Sequence, residues 1–111
     1  MARNFIQPGE TITVVAPRNV ASGEGVLVGS IFAVALAAAA AGQAVEARRV
    51  GVFDLTKAAG QAMTAGQKVY WDNAAFNVTT TAAGNTPIGA TTQAQASADT
   101  IGRVLLTGQI A

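Results

Sequence analysis

The segment from Gly25 to Val45 contains no charged residue, and it includes five consecutive alanines, Ala37 to Ala41. It is long enough for a helix that crosses a bilayer. Three glycines interrupt it, however, and alanine drives membrane insertion less strongly than Leu, Ile, Phe or Val. Alanine's helix preference over β-branched residues is worth only about a few tenths of a kcal/mol per residue. Burial of the flanking aliphatic and aromatic side chains outweighs it.

We therefore predict a strand from Gly29 to Leu36, a turn from Ala37 to Gly42, and one or two returning strands from Val45 to Leu55. A single helical turn at the centre of the alanines remains compatible with this prediction. A transmembrane helix is the alternative that the glycines disfavour, so we expect no membrane partner.

A short phrase recurs along the chain: glycine, then Glu or Gln, then any residue, then Ile or Val. Glycine adopts positive φ without steric cost, so it closes a turn from which a strand can start directly. The alternation of apolar residues after each copy is typical of a half-buried strand. The spacings are unequal, which favours hairpins of different lengths over a regular solenoid. The four copies begin at Gly9, Gly23, Gly42 and Gly66.

Further strands follow from the same signals, at Lys68 to Trp71, Phe76 to Thr81, Ile88 to Gln93 and Ile101 to Thr107. We expect an all-β fold, a small antiparallel barrel or sandwich with glycine-rich turns and at most one or two short helical turns. Residues 1–8 form an N-terminal arm and residues 9–111 a single β domain. The aromatic pair Tyr70–Trp71 is expected to place one ring in the core and the other on the opposite face.

The composition removes many functions. The chain has no cysteine and no histidine, which excludes disulfides, thiolate or imidazole zinc sites and Ser-His-Asp catalysis. Seven basic residues against six acidic ones are spread along the chain, so no cluster suits nucleic acid. The glycine-rich stretches lack the lysine of a phosphate loop. A pair of carboxylates acting as a glycosidase remains open. We expect no enzyme activity, no catalytic residues, no metal and no cofactor.

Five stretches, in this order, resemble the phage capsid cement (decoration) proteins over about Asn4 to Leu106. They are NFIQPGETITVVAP, SGEGVLVGSIFAVAL, GVFDLTKAAG, AGQKVYWD and IGRVLL. The most specific parts are Gly51 to Leu55 with Lys57, and Lys68 to Asp72. Thr56 departs from the family pattern, in which proline is expected.

The resemblance implies a structural virion protein on the outer surface of the capsid, assembled in the host cytoplasm. Its implied partner is the major capsid protein, which it would bridge as a homo-oligomer, with a trimer favoured. The alternatives are another virion component, such as a head–tail joining or tail protein, and a carbohydrate-binding module.

Attachment through the N-terminal arm is our hypothesis from the residues themselves. Phe5 and Ile6 are large apolar residues ahead of the first predicted strand, and such an arm can add a strand to the sheet of a capsid subunit or an adjacent protomer. Equally, both side chains could pack on their own barrel. The candidate interface residues are Asn4, Phe5, Ile6, Gln7 and Pro8.

Overall fold

The computed structural model describes residues 9–108, and within that range it contains nine β-strands and no helix. The fold is all-β with two antiparallel sheets, as predicted. No helix in the described range is long and apolar enough to cross a membrane. The strands are β1 (Thr11–Val15), β2 (Gly25–Val28), β3 (Ile31–Ala35), β4 (Ala44–Arg48), β5 (Val50–Thr56), β6 (Lys68–Asp72), β7 (Asn77–Thr79), β8 (Thr86–Thr91) and β9 (Ile101–Thr107).

The alanine tract connects two strands, as predicted. β3 ends at Ala35, and β4 begins at Ala44 after a turn that contains Gly42. Within the tract, Ala39 forms an isolated antiparallel bridge with Val20. The small alanine side chain allows this close approach of two loop segments, and no helical turn forms there.

Several predicted strand boundaries are displaced by one or two residues, and the shift matters most in β8. β8 begins at Thr86 and not at Ile88, so Pro87 lies within the strand, opposite Tyr70. The β6–β8 pairing shifts register between Val69 and Tyr70, and β8 pairs with β9 only from Gly89 to Thr91. Pro87 therefore occupies an irregular stretch of the ladder, where the missing N–H is tolerated.

The chain consists of two halves with one topology. The first sheet has the strand order β1-β4-β3-β2, and the second has β5-β9-β8-β6-β7. Matching β1, β2, β3 and β4 with β5, β6, β8 and β9 makes the two orders identical, with β7 as the addition. The register agrees as well: the pairs Thr13↔Glu46, Val34↔Arg48, Ala35↔Ala47 and Val26↔Ala33 correspond to Asp54↔Arg103, Ala90↔Leu105, Thr91↔Val104 and Val69↔Gly89.

The turns that precede four of these strands also correspond. In each, the first residue's carbonyl accepts a bond from the fourth residue's N–H, and the fourth side chain accepts one from the first residue's N–H. These side-chain oxygens are Glu24 Oε1 (2.7 Å), Gln43 Oε1 (3.1 Å), Gln67 Oε1 (3.0 Å) and Asp99 Oδ2 (2.8 Å). Three of the turns have glycine at the third position with positive φ, at Gly23, Gly42 and Gly66. The recurring Gly-[Glu/Gln] phrase is thus a doubly hydrogen-bonded turn at three of its four copies.

The halves differ in how they close. In the second half, β7 pairs with β6 on one side, and Val78 bridges Lys57, just after β5, on the other. The Ala58 N–H donates to the Val78 carbonyl at 2.8 Å. The five strands therefore curve into a half-barrel. The first half has no counterpart of β7 within residues 9–108, and its sheet stays open between β2 and β1.

Two hydrophobic clusters support these sheets. The larger fills the second half and includes Trp71, whose ring lies 4.9 Å from that of Phe32 in β3. Phe32 and Val34 thereby join the first sheet to the second core. The smaller cluster lies within the first half and is built from Ala16, Val20, Val26, Ala35 and Val45. As predicted for the aromatic pair, Trp71 is buried, whereas Tyr70 stays partly exposed.

Candidate docking surfaces

The five predicted arm residues, Asn4 to Pro8, lie outside the described residues, so the structure places none of them. It does place the residue from which the arm starts. The Arg49 guanidinium donates from Nη1 to the Gly9 carbonyl and from Nη2 to the Gly108 carbonyl, each at 2.7 Å. The Arg49 N–H also donates to the Glu10 carbonyl at 2.7 Å. One side chain between β4 and β5 therefore fixes the starting points of both terminal segments at one place.

The outer face of the β5–β9 pair exposes apolar side chains around an ion pair. Arg103 Nε and Nη2 donate to the two carboxylate oxygens of Asp54, at 2.9 and 3.1 Å. Val52 lies opposite Leu105 and Thr56 opposite Ile101, and all three apolar members are exposed. We call this the β5–β9 surface. It consists of the bidentate Asp54–Arg103 ion pair and the exposed apolar side chains of Val52, Ile101 and Leu105 around it.

The ion pair shifts both groups in the direction of their charged forms. The hydrogen bonds from Arg103, with its positive charge, lower the pKa of the Asp54 carboxyl below its usual value of 3.8. The same bonds raise the pKa of Arg103. Both side chains are about half exposed, so water screens the attraction, and we assign the pair an orienting role on the surface.

A small cleft of about 90 Å³ lies between the two halves. The Arg18 guanidinium sits over the Phe76 ring, 3.9 Å from its centroid, and Arg18 Nη2 donates to the Gly25 carbonyl at 2.8 Å. Phe76 adopts φ = 57°, which is unusual for a residue other than glycine,. The cation–π contact and the hydrogen bond hold the β6–β7 turn against the start of β2.

Residues 9–108 contain no group of three or more Asp, Glu, His or Cys side chains placed to hold a metal ion. One buried residue of the described range, Lys57, carries a charged side chain. Lys57 is 3% exposed, and its Nζ donates to the carbonyls of Ala58, Ser97 and Asp99 at 3.0, 3.4 and 3.1 Å. It ties the loop after β5 to the turn before β9, which is a structural task.

Sequence analysis did not identify the roles of Arg49, Arg18 and Lys57. Each of them binds backbone carbonyls. Every residue has a backbone carbonyl, so the sequence does not show which carbonyl a side chain will bind. The sequence shows that Arg48 and Arg49 are adjacent. It does not show that Arg48 binds the Val50 carbonyl and Arg49 the Gly9 carbonyl, because these bonds depend on the geometry of the β4–β5 junction.

Comparison with known proteins gave one match. The sequence profile of a family described as phage cement protein matches residues 6–106. No curated protein and no solved structure matches the chain.

Proposed function

This chain belongs to the phage cement protein family, and we propose that it binds the exterior of an assembled phage head and stabilises it by bridging neighbouring major capsid subunits. Its proposed place is the outer capsid surface of the virion, which it joins in the host cytoplasm. In this proposal it acts as a homo-oligomer, with a trimer favoured, and without catalysis.

The duplicated architecture is the observation that supports bridging. A protein that links neighbouring subunits needs at least two separate contact surfaces held at a fixed distance. Two sheets of matching topology, joined by the Phe32–Trp71 contact, supply two outer faces in one rigid unit. Each contact can be weak, because a protein that binds only the assembled shell stabilises it by mass action at every site of a repeating lattice.

The arm is the proposed attachment segment, with Asn4, Phe5, Ile6, Gln7 and Pro8 at the interface with a capsid subunit or an adjacent protomer. Arg49 supports this proposal because it fixes the arm's starting point at Gly9. An extended segment bound at one end loses less entropy on docking than one attached through a mobile loop.

Phage heads that lack the protein provide the test. Purified protein is added to mature heads and to the immature form, the heads are imaged, and their heat resistance is measured by release of DNA. We expect decoration of mature heads and DNA release at a higher temperature. Deletion of residues 2–7 should abolish both effects, whereas a matched deletion of residues 109–111, which also follow an Arg49-bound residue, should not.

Three results would contradict the proposal. Folded full-length protein that leaves mature heads bare would remove head binding. Tubes, or rings larger than the proposed trimer, formed by the protein alone would instead favour a head–tail joining or tail component. Unchanged affinity after deletion of residues 2–7 would remove the arm from the mechanism while leaving head binding intact.

A further inference from the structure

The two halves of the chain differ by one strand, and the difference exposes an edge in the first half. In the second half, β7 fills the space between β6 and β5. The corresponding space in the first half lies between β2 and β1. Leu55 in β5 is 2% exposed, whereas its counterpart Val14 and the neighbouring Ile12 remain only partly buried. The first half therefore lacks the strand that would complete burial of its β1 side.

Three of the four sheet edges are protected. β2 has only four residues, and Arg18 binds the Gly25 carbonyl at its start. β7 is covered through its bond to the Ala58 N–H. β5 is covered at its end by that same contact, and at its beginning Arg48 Nε donates to the Val50 carbonyl at 3.0 Å. Short strands and bound backbone groups hinder further pairing.

β1 has none of these protections. It pairs with β4 in unbroken register over five residues, its sequence is the uncharged Thr-Ile-Thr-Val-Val, and within residues 9–108 it has no second strand partner. Bonds at Glu10 and Ala16 point toward the β4 side. Because the direction alternates along a strand, the N–H and C=O groups of Thr11, Thr13 and Val15 point to the open side.

The side chains of β1 indicate what the edge accepts. Val15 is 59% exposed on the outer face, and Ile12 and Val14 are partly exposed on the inner face. An added strand would therefore have apolar surface to cover on both faces. Adjacent residues of an extended segment point to opposite faces, so an adjacent pair of large apolar residues suits this edge. Phe5 and Ile6 form such a pair, within a six-residue segment, residues 2–7, that ends at Pro8.

Charge agrees with this assignment. Glu46 is exposed beside β1, where its carboxylate accepts a hydrogen bond from Thr13 Oγ1, and Glu10 is exposed at the start of the strand. The only charged side chain of the arm is Arg3. An arginine that reaches either carboxylate can form a charge-assisted hydrogen bond with it.

We infer that the open edge of β1 accepts residues 2–7 of a second copy of this chain as an additional antiparallel or parallel strand. Arg49 holds Gly9 on the β4 side of β1, beside Gly108. The arm of the same chain thus starts on the opposite side of β1 from the open edge, whereas the arm of a neighbouring copy has no such constraint. Arm-to-edge contacts of this kind are heterologous, and they close into a ring where the rotation between successive copies brings the last copy back to the first. Three copies in such a ring would form the proposed trimer.

This inference rests on the part of the proposed function that makes the arm an interface segment, but it is tested without phage heads. Two blocked variants are prepared. Deletion of residues 2–7 leaves an open edge without an arm. Thr13→Pro leaves the arm but removes an outward N–H from the edge, with Thr11→Pro as a second choice if the first variant does not fold. Thr56→Pro, in β5 at the position that corresponds to Val15 and outside the surface defined by Val52, Ile101 and Leu105, is the control.

Sedimentation and native mass spectrometry measure the outcome. We expect the full chain and Thr56→Pro to form the same oligomer and each blocked variant to be monomeric. An equimolar mixture of the two blocked variants should form a 1:1 heterodimer, because it contains one arm and one open edge. A monomeric full chain, an arm deletion that still associates, or a mixture that stays monomeric would each overturn the inference.

The two proposals fail separately. A full chain that decorates heads but is monomeric in solution and in the mixing experiment overturns the β1 assignment and leaves head binding standing. Formation of the heterodimer without any binding to heads would overturn head binding and leave the β1 assignment standing.

Discussion

The two halves of this protein share a topology and a register, yet they are filled differently. The first half has a core of Ala16, Val20, Val26, Ala35 and Val45. The second has a core of larger side chains that includes Leu55, Met63, Trp71, Ile88 and Leu106. Larger side chains remove more apolar area from water, so the second half contributes more to stability. The second half is thus a half-barrel with a core of large side chains, and the first half, within residues 9–108, is an open sheet with a core of small side chains and an unpaired edge.

The comparison shows that the same strand topology accommodates core side chains of different size. The ladder of backbone bonds and the hydrogen-bonded turns recur in both halves, while corresponding core positions change from Val14 to Leu55 and from Val28 to Trp71. Substitutions at corresponding positions can therefore show where stability resides.

The largest effect is expected at Trp71. Its ring is buried against Phe32, so Trp71→Ala should cost about 3–5 kcal/mol in the free energy of unfolding through lost burial and a cavity. Val28→Ala, at the corresponding position of the first half, should cost less than about 1.5 kcal/mol because Val28 is only partly buried,. Denaturant unfolding of both variants measures the difference. Similar losses at the two positions would show that the halves contribute equally.

The second effect concerns Lys57, which occupies the position of Ala16. Lys57→Met keeps the apolar stem but leaves the Asp99 carbonyl without the lysine donor and the Ser97 carbonyl with only the Gly60 N–H. We expect a loss of about 1–3 kcal/mol, the cost of unsatisfied buried polar groups. Hydrogen exchange should report faster opening of the turn from Ala96 to Asp99 than of the turn from Ala40 to Gln43. Equal exchange in the two turns would show that Lys57 fills space only.

The third effect tests the shared turns. Gly42 and Gly66 have φ of 85° and 76°, and an added Cβ would meet no atom within 4 Å. Alanine at either position should therefore cost about 1–2 kcal/mol through backbone strain alone. Ala98, at the third position of the turn before β9, does not have positive φ, so Ala98→Gly should bring no gain. Thermal unfolding of the three variants checks this, and a stabilised Ala98→Gly would show that the fourth turn is also strained.

The sequence was sufficient for the fold class, because alternation and glycine turns are local signals. It placed β9 at Ile101 to Thr107 and resolved the alanine tract correctly. The duplication escaped it, since corresponding positions such as Ala47 and Val104 share only their burial and register. The sequence similarity between the Gly42 and Gly66 phrases was even misleading: they lead into β4 and β6, which do not correspond.

The candidate surfaces were less predictable. The N-terminal arm is a prediction from apolar residues ahead of the first strand, a local pattern, and it stays a prediction because residues 1–8 lie outside the described residues. The open edge of β1 depends on which strands lack neighbours, and this follows from pairing between residues that lie far apart in the chain, such as Lys57 and Val78. No local pattern in Thr11 to Val15 distinguishes an edge strand from a central one.

The smallest effect compares the outer faces. Asp54 and Arg103 occupy the positions that Thr13 and Glu46 occupy in the first half. Because the pKa of Asp54 is lower in the folded protein than its usual value of 3.8, its contribution to stability is complete above that value and is lost as the pH falls through the folded pKa. Asp54→Asn should remove this part of the acid sensitivity. The melting temperatures of both proteins are measured from neutral pH down to about pH 2, a range that spans the usual carboxyl titration.

Both side chains are half exposed, so the difference should be small and should shrink further in high salt. A difference that persists in high salt would show instead that the ion pair fixes the β5–β9 face through its bidentate geometry, and this face would then be the more rigid of the two.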